Sequence, residues 1–203
     1  MINKVIGADP NIFFDPKSGL YYVVATKDDD HLHFVIYESK DLINWKEVGY
    51  ALDDRDDNNW GSDWFWAPEC YYNPNNEYYY LFYSAKVLPH LVAKFFINPD
   101  YEECCKIGVA VSKSPKGPFK NITNLPLDYY PYDPNYLNID AKYKDIFLSI
   151  DNYLDRDKAP RGEYLSMIDV NLFIDDDKKM YLYFSRCCYH NATYDNKLKK
   201  YIE

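Results

Sequence analysis

Short apolar and aromatic runs alternate with polar punctuation along most of this chain. From Pro10 the sequence reads PNIFFDPKSGLYYVVAT, from Pro68 PECYYNPNNEYYYLFYS, and from Val170 VNLFIDDDKKMYLYFSR. The three windows align without a gap over 17 residues. In each, an aromatic run leads into a turn rich in Asp, Asn, Pro, Lys or Gly, and a second aromatic run follows, which predicts a β-hairpin. A second half-unit follows the first two copies: YESKDLINWKEV from Tyr37 and VAVSKSPKGPFKNI from Val109. Both carry Ser-Lys and then an aromatic-Lys pair six or seven residues after the Ser. Two hairpins make a four-stranded sheet, and repeated four-stranded sheets are the blades of a β-propeller.

The fold class predicted is therefore all-β, a propeller with about two and a half blades in this chain. Blade one is expected at about 9–49, blade two at about 67–122, and half of blade three at about 169–186. Seventeen residues follow Arg186, too few for another blade, so the pattern predicts a ring that this chain leaves unfinished. Two insertions break the repeat. KVLPHLVAKFFINPDYEECC, inside blade two, reads as a long loop. The second, at about 126–165, holds Ile139, Tyr143, Ile146, Phe147, Ile150, Tyr153 and Leu154 at helical spacing, which predicts one amphipathic helix over 140–154.

Composition narrows the function classes. Hydrophobic residues make up 47% of the chain, enough to bury a core. Aromatic residues make up 19%, with 23 Tyr, which favours half-wet strand surfaces and ligand-facing clefts. The net charge of −9 argues against a nucleic-acid partner, because no basic face is present to displace counterions. No run reaches membrane-spanning length, and no charged-then-apolar leader precedes Ala8, so no membrane partner is expected. The chain is read as either intracellular or shorn of a signal segment. Cys70 stands apart from the pairs Cys104–Cys105 and Cys187–Cys188; none shows zinc-site spacing, and one bridge between the pairs remains open. His31, His33, His90 and His190 share no ligand spacing, so neither a metal nor a cofactor is expected. The acidic runs 28–30 and 175–177 read as solvated turns.

The chemistry is expected at the residue just before each window: Asp9, Ala67 and Asp169, preceded in turn by Ala8, Trp66 and Ile168. The innermost strand of a propeller blade lines the central channel. Asp9 and Asp169 are then expected to face one axial pocket, with Trp66 beside them. Two carboxylates supply acid–base chemistry and an indole supplies an apolar platform for a sugar ring. The bland reading is that both aspartates merely cap strand starts. Their matching register in the repeat favours the functional reading.

ADPNIFFD, WAPECYY and MIDVNLFIDDDKKMYLYFSR resemble the first three blade signatures of glycoside hydrolase family 43. The resemblance implies a five-bladed β-propeller and an inverting hydrolase of xylosides or L-arabinofuranosides in hemicellulose. It implies that Asp9 is the general base, that Asp169 tunes and positions the acid, and that Trp66 contacts the sugar. The family's general acid is a glutamate heading the fourth blade; Glu69, Glu163 and Glu203 do not occupy that register. The family's central calcium site draws on later blades and is not carried over. The resemblance also implies secretion, since the polymers lie outside the cell. Three readings follow: part of a family 43 glycosidase acting on a xylo- or arabino-oligosaccharide, a non-catalytic carbohydrate-binding or assembly module, or a chain that pairs with a second copy. An open half-blade demands a partner, so a homo-oligomer or a complementing chain is expected.

Overall fold

The computed structural model describes residues 4–27, 34–52, 56–96, 104–127, 166–177, 180–187, 193–195 and 200–202. The amphipathic helix expected over 140–154 and the acidic run 28–30 lie outside the described residues.

Blade one consists of β1 (Ala8–Asp15), β2 (Leu20–Thr26), β3 (Phe34–Ser39) and β4 (Lys46–Tyr50), hydrogen-bonded in that order. Blade two repeats the pattern with β5 (Gly61–Asn73), β6 (Tyr78–Val87), β7 (Cys105–Ser112) and β8 (Lys120–Asn121). A third hairpin pairs β9 (Ser166–Ile174) with β10 (Met180–Cys187). A short pair, β11 (Thr193–Asp195) and β12 (Lys200–Ile202), follows. Every pairing is antiparallel between strand neighbours in sequence. The fold is that of a partial β-propeller. The inner strands stand side by side, with β1 against β5 and β5 against β9.

Two details differ from the sequence expectation. The insertion read as a loop in blade two contains α1 (Pro89–Phe95), opened by a proline in its first turn. Its Leu91 and Phe95 are buried, and the fully buried Lys106 lies beneath, 4.9 Å from the Phe96 ring centre. The helical signal was too short to register against an apolar run. Strand β5 also begins at Gly61, well before the repeat window.

Local chemistry sets the hairpin registers. In the first turn the Asp15 carboxylate accepts the N–H groups of Lys17 (3.1 Å) and Ser18 (3.0 Å), and Gly19 takes a left-handed φ of 68°. In the second, Asn73 accepts from Asn75 at 3.0 Å and Glu77 takes the left-handed place, φ 61°. Both turns therefore have the same length, Asp15 pairing Leu20 and Asn73 pairing Tyr78. In the third hairpin equivalent partners lie one residue closer in sequence. Asn11 pairs Val24 and Glu69 pairs Phe82, but Asn171 pairs Tyr183. The gapless alignment set Arg186 against Thr26 and Ser84; the ladder sets Ser185 there instead, opposite Ile168.

The core lies between blades. Tyr22, Val24, Phe34 and Ile36 of blade one pack against Phe65, Tyr79, Leu81 and Tyr83 of blade two. Trp60 stacks on Tyr83 (centroids 5.6 Å, 14°), and a Cβ on Gly108 would come within 2.5 Å of that indole. Cys70, Cys104 and Cys105 are buried; the bridge left open between the cysteine pairs would involve the Cys187 and Cys188 side chains, which lie outside the described residues. Among the polar ties across the interface, the Tyr79 hydroxyl donates to Asp15 Oδ1 at 2.5 Å. Burial pushes the Asp15 carboxyl up, but hydrogen bonds from Ser18, Tyr79 and Lys17 outweigh it, and its pKa is lowered. A lowered carboxyl pKa stabilises the fold above the unfolded value, and that contribution is lost as pH falls through the folded one. Tyr79→Phe is therefore expected to cost about 1–3 kcal/mol at pH 7 in urea unfolding. The gap from wild type should narrow in acid as Asp15 protonates.

Candidate active site

The heads of the three units share one unusual backbone shape. Asp9, Ala67 and Asp169 have φ of 46°, 46° and 54°, in the left-handed region. Each sits in a bulge, where two residues of the inner strand oppose one of its partner. The ladder jumps from Ala8↔Thr26 to Asn11↔Val24, from Trp66↔Ser84 to Glu69↔Phe82, and from Ile168↔Ser185 to Asn171↔Tyr183. A bulge of this kind re-aims a side chain and often sits beside a functional site. Left-handed backbone costs a non-glycine residue on the order of 1 kcal/mol, less for Asp, whose short polar side chain tolerates it.

At the second and third heads the bulge turns the N–H out of its own ladder, and the preceding blade supplies the acceptor. Ala67 N–H donates to Thr26 Oγ1 at 3.0 Å, and Asp169 N–H donates to Ser84 Oγ at 3.1 Å. Thr26 and Ser84 occupy the same ladder position in blades one and two. A second tie lies three residues along: Cys70 N–H to Asn11 Oδ1 (3.0 Å) and Leu172 N–H to the Tyr71 hydroxyl (2.9 Å). The heads are thereby held in register from blade to blade.

The Asp9 and Asp169 side chains are both solvent-accessible. Protein on its flanks still strips part of the water from Asp169, and this desolvation, followed by the charge of Asp9, raises its pKa above the ordinary 3.8. The two carboxylates sense each other across the inner strands.

Trp66 stacks face to face with Trp64 (centroids 5.3 Å, 7°). Trp64 is itself left-handed, φ 52°, with its N–H on Asp63 Oδ1 at 2.8 Å, and Lys86 Nζ lies 4.4 Å from its ring centre. The column backs one face of the half-exposed Trp66 indole. Sequence reading missed Trp64, although residues i and i+2 on a strand share a face and WFW carries that signal. It also missed the role of Glu69. Both of its carboxylate oxygens accept from the Asn171 amide (3.0 and 2.9 Å), and the Tyr71 hydroxyl donates to it. Glu69 clamps β5 to β9. Among the described residues no group of three or more His, Cys, Asp or Glu could hold a metal ion, and no helix is long and apolar enough to cross a membrane.

The family model for glycosyl hydrolases family 43 matches residues 2–146. The chain belongs to that family. It is 29% identical over 135 residues to a beta-xylosidase of Formosa agariphila, covering 66% of this chain and 21% of that one. It is 32% identical over 82 residues to a probable arabinan endo-1,5-alpha-L-arabinosidase C of Aspergillus terreus, covering 39% of this chain and 24% of the relative. The solved endo-arabinase of Bacteroides thetaiotaomicron superposes with a TM-score of 0.58 at 26% identity, over 90% of this chain and 46% of that protein. The family 43 chain thus spans about half of that solved relative and less than a quarter of these two curated ones. Its solved neighbours are five-bladed propellers.

Two outcomes test this geometry. The Asp169 carboxyl should titrate above 3.8 by carbon-detected NMR, and Asp9→Asn should lower its pKa; no change would place the two groups in separate environments. Because Asp169 binds its proton more tightly when folded, ionisation weakens the fold as pH rises through that pKa. Ala67→Gly should leave stability unchanged or raise it by up to about 1 kcal/mol in urea unfolding, the reverse of the usual cost of glycine in a strand.

Proposed function

We propose that this chain carries the base-bearing part of an inverting glycosidase for xylan- or arabinan-type hemicellulose, a β-xylosidase or α-L-arabinofuranosidase. The observation that carries the reading is the pairing of Asp9 and Asp169 at identical bulges, with the charge of Asp9 felt by Asp169. In this scheme Asp9 is the general base that takes a proton from the attacking water. Asp169 holds and tunes the general acid, and Trp66, backed by Trp64, gives the sugar its apolar platform. Inversion needs acid and base on opposite sides of the bond, far enough apart to admit water. The heads here are Asp9, Ala67 and Asp169, so the acid comes from a blade outside this chain. A longer gene product or a second chain supplies it. The relatives named above, a xylosidase and two arabinan-cleaving enzymes, support a pentose substrate. Such polymers lie outside cells, and that is where we place the activity.

The absence of a glutamate head favours one second reading, a non-catalytic carbohydrate-binding module. Turnover separates the two. The 203-residue chain should hydrolyse natural oligosaccharides very weakly, with residual rate appearing first on aryl xylosides or aryl arabinofuranosides, whose leaving groups need little protonation. Asp9→Asn should lower that residual rate by about 10²–10⁴-fold, the range for a positioned acid–base group. Binding of xylo- or arabino-oligosaccharides with no turnover of any aryl glycoside would establish the module instead.

A further inference from the structure

The residue two beyond each head occupies one ladder position: Asn11 opposite Val24, Glu69 opposite Phe82 and Asn171 opposite Tyr183. The first two reach across to the next inner strand. After the Ala67 head the tie is neutral, with Cys70 N–H donating to Asn11 Oδ1 at 3.0 Å. After the Asp169 head it is a charged network. The Asn171 amide donates to both Glu69 oxygens (3.0 and 2.9 Å), and the Tyr71 hydroxyl donates to the same carboxylate. Leu172 N–H in turn donates to that hydroxyl at 2.9 Å. The Tyr71 ring stands edge-on to Phe82 (centroids 6.0 Å, 76°). Burial, then the bond to Glu69, pushes the Tyr71 hydroxyl above its ordinary 10.0, so it stays a donor at neutral pH.

This network is separate from the packing that fastens β9. Met167 and Val170 are buried with Ile107, and that cluster already joins the third hairpin to blade two. Asp169 and Asn171 are exposed, so the network lies on the wet side of the strand, where the Asp169 carboxyl is. The head is bracketed there. Ser84 takes the Asp169 N–H at 3.1 Å, while Glu69 and Tyr71 hold the second and third residues beyond it. Left-handed backbone persists only where its surroundings over-determine it, and bonds to a charged acceptor are the stronger kind. We infer that Glu69 and Tyr71 are positioning residues for Asp169: they fix the strand just past its bulge and thereby hold the Asp169 carboxylate facing Asp9. This rests on the role proposed above for Asp169, but its test reads the carboxyl group itself and needs no turnover.

The test is a carbon-detected titration of Asp169, with and without Asp9→Asn, in variants that break the network without changing charge. Asn171→Ala removes the amide, and Tyr71→Phe removes the hydroxyl but keeps the ring on Phe82. A carboxyl freed in this way takes up water and turns from Asp9, and both changes favour its ionised form. Each variant should therefore bring the Asp169 pKa down toward 3.8 and cut the response to Asp9→Asn by about half or more. Glu69→Ala should do the same. Glu69→Gln keeps an acceptor oxygen for the Asn171 amide and should stay close to wild type. A lowered Tm with the Asp169 titration and its response to Asp9→Asn both unchanged would make the network a structural clamp and overturn the inference. So would a fall in pKa with Glu69→Gln but with neither neutral variant, because the Glu69 charge would then act through space. Shifted titration in both neutral variants upholds the positioning role even where Asp9→Asn leaves the residual aryl-glycoside rate unchanged, a result that would remove only the hydrolase reading.

Discussion

An N–H group turned out of its own ladder has to find an acceptor, and the architecture of this chain follows from that requirement. At the heads of β1, β5 and β9 a bulge puts a non-glycine residue into left-handed backbone, and in β5 and β9 the head amide bonds the preceding blade. A buried donor left unsatisfied would cost on the order of 1–3 kcal/mol. A hydroxyl at one fixed ladder position, Thr26 or Ser84, removes that cost. The same bond locks the angular step between blades, so the bulge that aims Asp9 and Asp169 is also the joint that assembles the ring.

The joint explains why strain and chemistry coincide. Bulges re-aim side chains, and a residue in a sparsely populated backbone region persists only when its surroundings over-determine it. Here the over-determination is supplied by the hydroxyl latch, by a second backbone tie three residues on, and by aromatic packing between blades. Asp suits the position twice, tolerating left-handed φ and carrying a carboxylate. Ala67 has the shape without the chemistry, and its neighbour Trp66 presents an apolar surface instead. Three heads of one geometry thus present different side chains.

The same logic separates the acidic groups. Asp15 and Glu69 lie at interfaces, where N–H and O–H donors converge on them; Asp15 is held charged and Glu69 is clamped. Asp169 is partly desolvated and also meets the charge of Asp9, so its proton is held more tightly. Carboxylates in one small domain are thereby sorted into joints and candidate reagents by the donors around them.

How much of this was legible in the residues depends on the range of the interaction. Hairpins are local: turn chemistry at Asp15, Asn73 and their neighbours, with alternating aromatic runs, set strand number, order and antiparallel sense without reference to the rest of the chain. The repeat register singled out Asp9, Asp169 and Trp66 because it is itself a statement about sequence. What the residues alone left open was decided by packing between blades. A one-residue difference in partner spacing, invisible to a gapless alignment, moved the third hydroxyl to Ser185. Seven residues of helix grew from a stretch read as loop because Leu91 and Phe95 found a core to cover. The Lys86 contact on Trp64 and the Glu69 clamp needed neighbours from other strands. Local hydrogen bonds are encoded within a few residues and can be read there; contacts between blades depend on the angle and spacing of whole sheets, which only the assembled fold supplies.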